Sequence, residues 1–162
     1  MSMVSLRRAV VRMMPCLLLA ALLSAAPALA ERVAGQSVYV PAYAHIYYAS
    51  KNKPFYLTIT LSVRNTDPAK GISVEAVDYF DTEGKLIRHF LTQPAKLGAL
   101  GTAEYVIYEK ETSGGSGANF VVRWKADGPV SPPIVEAVMI GTSSGQGISF
   151  TSRGEAIEEP AH

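Results

Sequence analysis

Tyr39, Tyr43, His45 and Tyr47 fall on alternate positions of VYVPAYAHIYY, the stretch Val38 to Tyr48. On an extended chain such residues share one side. Rings arrayed this way can stack on a sugar or anchor a protein partner. With Tyr56 and Arg64 from the next stretch, they are the candidate ligand-binding residues of this chain. Catalytic chemistry has weaker support. Gly141-Thr142-Ser143-Ser144-Gly145 fits the spacing of a nucleophile elbow, but that elbow needs a strand-to-helix turn, and the strand pattern Ile148-Ser149-Phe150 follows it. A base for Ser116, Ser143 or Ser144 would have to be His45 or His89, because the third histidine is His162, near the end of the chain. No catalytic residue is assigned. Asp78, Asp81 and Glu83 before Gly84 lack the alternating ligand spacing of a calcium loop and read as a turn. Two histidines without cysteine make a poor zinc or copper set, so neither a metal nor another cofactor is expected. The glycines of Thr112 to Asn119 could converge N–H groups on an anion. Glu109 and Glu111 would repel it, and a mobile loop is the competing reading.

These residues need strands to position them, and the chain supplies strand patterns throughout. Phe55, Leu57, Ile59, Leu61 and Val63 alternate without a fault against Tyr56, Thr58, Thr60, Ser62 and Arg64 before Asn-Thr-Asp-Pro stops the run. That is a strand with one buried face. Val38 to Tyr48 is a further strand, at an edge or interrupted at Pro41. Ile72 to Phe80 alternates with a phase shift at Val77 that marks a bulge. Asp81 to Gly84 turns the chain into Lys85 to Leu91. Thr102 to Glu109 follows, then Asn119 to Lys125, with Trp124 expected to plug the core. Asp127 to Pro133 is rich in proline and reads as a turn. Ile134 to Ile140, nearly continuous in apolar residues, reads as a strand covered on both faces. Gly141 to Gly147 reads as a loop and Ile148 to Thr151 as a last short strand. Seven or eight short strands at this spacing predict an all-β, immunoglobulin-like sandwich of one domain, with a small barrel as the alternative.

Pairing Ile46 with Leu57, Ala44 with Ile59 and Ala42 with Leu61 keeps both apolar sets on one face. The same register sets Tyr47 opposite Tyr56, His45 opposite Thr58, Tyr43 opposite Thr60 and Tyr39 opposite Arg64.

Residues 1–30 have the features of a cleavable secretory signal. Arg7, Arg8 and Arg12 precede an apolar run, and Ala28-Leu29-Ala30 follows Pro27. An uncleaved anchor is the alternative, and Arg7-Arg8 leaves twin-arginine export open. Cys16 is the only cysteine and lacks the small residues of a lipoprotein site before it. Residues 31–154 would form the domain and 155–162 a disordered tail. Three of the 15 Lys and Arg residues and none of the 14 Asp and Glu residues fall in the signal, leaving 12 against 14, a net of minus two. Such a balance argues against nucleic-acid partners and against a membrane surface once the signal is removed.

Gly35 to Tyr48 (GQSVYVPAYAHIYY), Leu61 to Asp67 (LSVRNTD), Thr112 to Trp124 (TSGGSGANFVVRW) and Pro132 to Gly154 (PPIVEAVMIGTSSGQGISFTSRG) resemble a bacterial family known as domain of unknown function 3124. The resemblance implies export and a compact β domain, and it implies no activity and no catalytic residue. The function expected is that of a periplasmic or secreted, non-enzymatic binding module. Its tyrosine-rich sheet face would meet a glycan, peptide or protein of the envelope. The alternatives are a hydrolase using the Gly/Ser loops with a histidine base, and an envelope-assembly protein that pairs through an edge strand.

Overall fold

Twelve strands and one 3-10 turn (Thr112–Gly114) make up the described residues, 31–48, 53–143 and 145–158, of a computed structural model. In chain order the strands are β1 (Val33–Pro41), β2 (His45–Tyr48), β3 (Lys53–Tyr56), β4 (Thr58–Arg64), β5 (Ile72–Phe80), β6 (Leu86–His89), β7 (Ala95–Leu97), β8 (Thr102–Ile107), β9 (Asn119–Val130), β10 (Ile134–Ser143), β11 (Gln146–Arg153) and β12 (Glu155–Glu158). Residues 1–30, and with them the expected signal, its expected cleavage site and Cys16, lie outside the described residues.

Within Glu31–His162 the strands form an antiparallel sandwich. One sheet runs β12-β1-β9-β5-β6, with β7 also paired to β5; the other runs β11-β10-β4-β8; β2 and β3 form a separate hairpin. Neither large sheet closes on itself, so the fold is a sandwich and not a barrel. The alternation read from the sequence is visible as burial. Leu57, Ile59, Leu61 and Val63 are sealed in the core with Val135, Ala137 and Met139 of β10. Val38, Val40, Val74, Val77, Tyr79, Phe120, Val122 and Trp124 supply the core face of the other sheet. Each fully buried side chain of this size contributes about 1.5–3 kcal/mol relative to exposure. A bulge is present in β5, two residues before the expected Val77, since β5 carries one extra residue, Glu75, against β9 between Val74 and Ala76.

Several expectations are corrected. Val38 to Tyr48 is interrupted at Pro41, one of the two readings offered, but its halves lie in two sheets and neither pairs with β4. β1 ends at Pro41 between β9 and β12, and the small buried residues Ala42 and Ala44 let the chain cross between the sheets. Ala44 binds both sides of that crossing: its N–H donates to Gly115 O at 2.9 Å and its carbonyl accepts Leu57 N–H at 3.0 Å. Ile134 to Ile140 is covered on one face only, with Val135, Ala137 and Met139 inside and Ile140 exposed. Gly141 to Gly147 continues β10 and β11 as a hairpin, and β9 runs through the predicted turn to Val130.

The predicted disordered tail is a strand over Glu155–Glu158, paired with β1. Gly154 makes this possible, because a Cβ there would stand 2.7 Å from Val38 Cγ1 and 2.9 Å from Val40 Cγ2. Backbone alone passes that point, and the exposed glutamates beyond it do not oppose a ladder made of main-chain bonds. Residues 159–162 lie outside the described residues.

Candidate functional site

The hairpin β2–β3 brings together three of the six candidate residues. His45 pairs with Tyr56 and Tyr47 with Pro54. The His45 ring stands edge-on to Tyr47 at 5.0 Å and to Tyr56 at 5.9 Å between centroids. Ile46 pairs with Phe55, two positions from the expected Leu57, because the ladder runs on to Tyr48 and Lys53. A slip of two leaves every side chain on its predicted face. Tyr47 (57 % exposed) and Tyr56 (40 % exposed) therefore stand outward, while Tyr48 on the other face meets Phe55 edge-on at 5.6 Å.

The other three residues are placed elsewhere. Tyr43 stands outside the ladder and packs edge-on against Phe150 at 5.6 Å. Tyr39 belongs to the opposite sheet, where its partners are Val121 and Glu155 and not Arg64. Arg64 shares the outer face of Tyr56, eight residues further along the chain and so about 27 Å away. It pairs there with Glu136 at 3.6 Å. A strand's alternation specifies faces and carries no information about which strand lies beside it.

The outer face of β4 extends the ring cluster. Cross-strand partners project on the same side, so Ile140 and Ser149 lie in the row of Thr58, and Val106, Val138 and Thr151 in the row of Thr60. The chain leaves β8 just after Ile107, the partner of Ile59, which puts Tyr108 level with Thr58. Tyr108 is 65 % exposed and Ile140 52 %. Neither row contains a charge. The charges begin one row on, with Glu104, Glu136 and Arg153 around the buried Ser62. Tyr108 and Ile140 were missing from the candidates read from the sequence. Strict period-two reading of Ile134 to Ile140 would have turned Ile140 outward.

The remaining constellations are structural. Asp81 Oδ1 accepts the N–H groups of Glu83 (3.0 Å) and Lys85 (2.8 Å), as a turn requires, and Gly84 adopts φ 78°. Asp78 is buried on the outer face of the six-stranded sheet, bound to Arg123 at 2.9 Å and to His89 Nδ1 at 2.7 Å. The N–H groups of Gly115 and Gly117 donate to Thr112 O and Thr82 Oγ1, so the glycine loop does not present them to an anion. His45 Nδ1 is buried without a hydrogen-bond partner. Among the described residues, no hydrogen bond joins a histidine to Ser116 or Ser143; Ser144 lies outside them. Nor do three His, Cys, Asp or Glu side chains gather in a group that could hold a metal.

Comparison with known proteins gives three results. The model of a family described as "Protein of unknown function (DUF3124)" matches residues 35–157. No curated protein matches the chain. A solved structure titled "Crystal Structure of Thermotoga maritima 1070" is similar at 8 % identity and a TM-score of 0.45, covering 76 % of this chain and 96 % of that one.

Proposed function

The chain belongs to the DUF3124 family, and on that premise we propose that it is an exported, non-enzymatic module that binds a neutral glycan. The site is the outer face of the four-stranded sheet and its adjoining hairpin. One observation carries this reading: the exposed rings of Tyr47, Tyr56 and Tyr108 border two sheet rows that hold hydroxyls and aliphatic groups and no charge. A sugar ring has an apolar C–H face that stacks on aromatic rings and hydroxyls that exchange hydrogen bonds with threonine. Thr58, Thr60 and Thr151 stand between and beside the apolar residues of those rows. The surface is an open sheet face, which suits a polymer that continues past the site. Export is supported by the basic, apolar, Ala-Leu-Ala leader of residues 1–30.

The test is affinity electrophoresis of the purified protein through gels containing neutral polysaccharides. Retardation by at least one of them is expected. Tyr56→Ala and Tyr108→Ala should each weaken it about tenfold, which is about 1.4 kcal/mol, while Arg64→Ala leaves it unchanged. Migration indifferent to every neutral glycan, or unchanged in both tyrosine variants, refutes the proposal. Retardation only by charged polymers would refute the neutral class.

A further inference from the structure

A cleft of about 550 Å³ opens on the six-stranded sheet, where β7 joins β5. Register sets Ser73 of β5 between Lys96 of β7 and Lys125 of β9. Adjacent strands lie about 4.8 Å apart, so the two lysine Cα atoms are about 10 Å apart. Cross-strand partners share a face, which places both ammonium groups on the side of the Ser73 hydroxyl. The bulge of β5 falls at Glu75 and brings that carboxylate to the same cleft. Glu75 Oε2 accepts Lys125 Nζ at 3.0 Å. Contacts with Ser73 first and Lys125 second hold Glu75 below the usual carboxylate range, so it is charged at neutral pH. Lys96 forms no ion pair among the described residues. Asp127 completes the charged lining, and Leu97 and Ala126 supply apolar wall.

We propose that this cleft binds a small organic monocarboxylate, with its carboxylate on Lys96, Ser73 and Lys125 and its hydrocarbon part against Leu97 and Ala126. The volume is within the range of small-molecule sites. The charge balance selects a monoanion. Two lysines are set against Glu75 and Asp127, so the lining has no net charge; Lys96, held by no ion pair among the described residues, can balance one negative charge, whereas the second charge of a dianion such as phosphate would meet only the repulsion of the two carboxylates. Glu75 also competes with the ligand for Ser73 and Lys125. Its neutralisation should therefore strengthen binding, whereas loss of Lys96 removes the ammonium that no carboxylate holds.

The experiment is a nuclear magnetic resonance titration of the purified protein with hexanoate, beside hexanol and inorganic phosphate. Saturable shifts are expected at the amides of Ser73, Lys96, Leu97 and Lys125 with hexanoate alone. Lys96→Ala should weaken binding about tenfold, and Glu75→Gln should tighten it severalfold. Tyr56→Ala should leave it unchanged, which keeps this site distinct from the ring surface. Shifts that do not saturate, an equal response to hexanol, tighter binding of phosphate, or unaltered affinity in Lys96→Ala each overturn the proposal.

Discussion

Gly141→Ala tests whether the ring surface depends on close backbone packing beneath it. A Cβ on Gly141 would stand 2.5 Å from the carbonyl oxygen of Tyr56, 2.7 Å from Phe55 Cε1 and 2.9 Å from Leu57 Cδ2. Ordinary contact begins at 3.4 Å, so the Tyr56 backbone must retreat by about 0.9 Å. Backbone cannot rotate out of the way as a side chain can, and overpacking of this kind costs about 1–3 kcal/mol. For a domain of this size that lowers the thermal midpoint by roughly 3–15 °C. Gly147→Ala is the matched control. Its Cβ would meet only Thr142 Cγ2 at 3.8 Å and Gly141 O at 3.9 Å, and restriction of the unfolded chain makes such a change neutral or stabilising by up to about 1 kcal/mol. Thermal unfolding measures both, and the ring resonances of His45 and Tyr56 report the displacement. Gly141→Ala should move those resonances and weaken glycan retardation, while Gly147→Ala does neither. Equal midpoints for the two variants, with the His45 and Tyr56 resonances unmoved, would refute the packing argument.

Asp67 should govern acid stability. The N–H of Ala69 foremost, then those of Ser131 and Lys70 and the Arg32 guanidinium, hold its carboxyl far below the usual range against the opposing effect of burial. A depressed value contributes stability above the unfolded value of 3.8 that is lost as the pH falls below it. The urea midpoint should fall below that pH, and Asp67→Asn should be less stable at neutral pH with a flatter acid profile. Tyr79 acts at the other end of the scale. Burial foremost raises its hydroxyl to about 12, so the folded state favours the neutral phenol and stability should decline as the pH climbs from 10 towards 12. Tyr79→Phe should reduce that slope in the same urea series. Met139 is fully buried in β10, and Met139→Ala should cost about 2–5 kcal/mol in chemical denaturation.

Strand faces were legible in the sequence because a strand's side chains alternate strictly, whatever lies beside it. Phe55 to Arg64 alternated on paper and alternates in burial except at Ser62, which is covered on the outer face, and Trp124 filled the core as its size required. The turn at Asp81 to Gly84 was equally local, since an Asp side chain bonds its own neighbouring N–H groups. Lateral neighbours were not legible. Tyr39 has the alternation expected of a partner for β4, yet β1 lies beside β9, more than eighty residues away in the chain. A period of two fits any apolar-faced strand equally well, and the choice among partners is made by packing of the whole core. The short strands β7 and β12 have too few residues to show a period and exist only because an edge of β5 or β1 was available.

The binding surface shows the same division. By itself the sequence determined that Tyr47, His45 and Tyr56 would face one way, because a register slip of two preserves faces. Only the tertiary structure removed Tyr39, Tyr43 and Arg64 from their company and added Tyr108 and Ile140. Ile140 comes from β10 and Tyr108 from the chain just past the end of β8, the two neighbours of β4, and nothing short of assembled sheet order could bring them to one row.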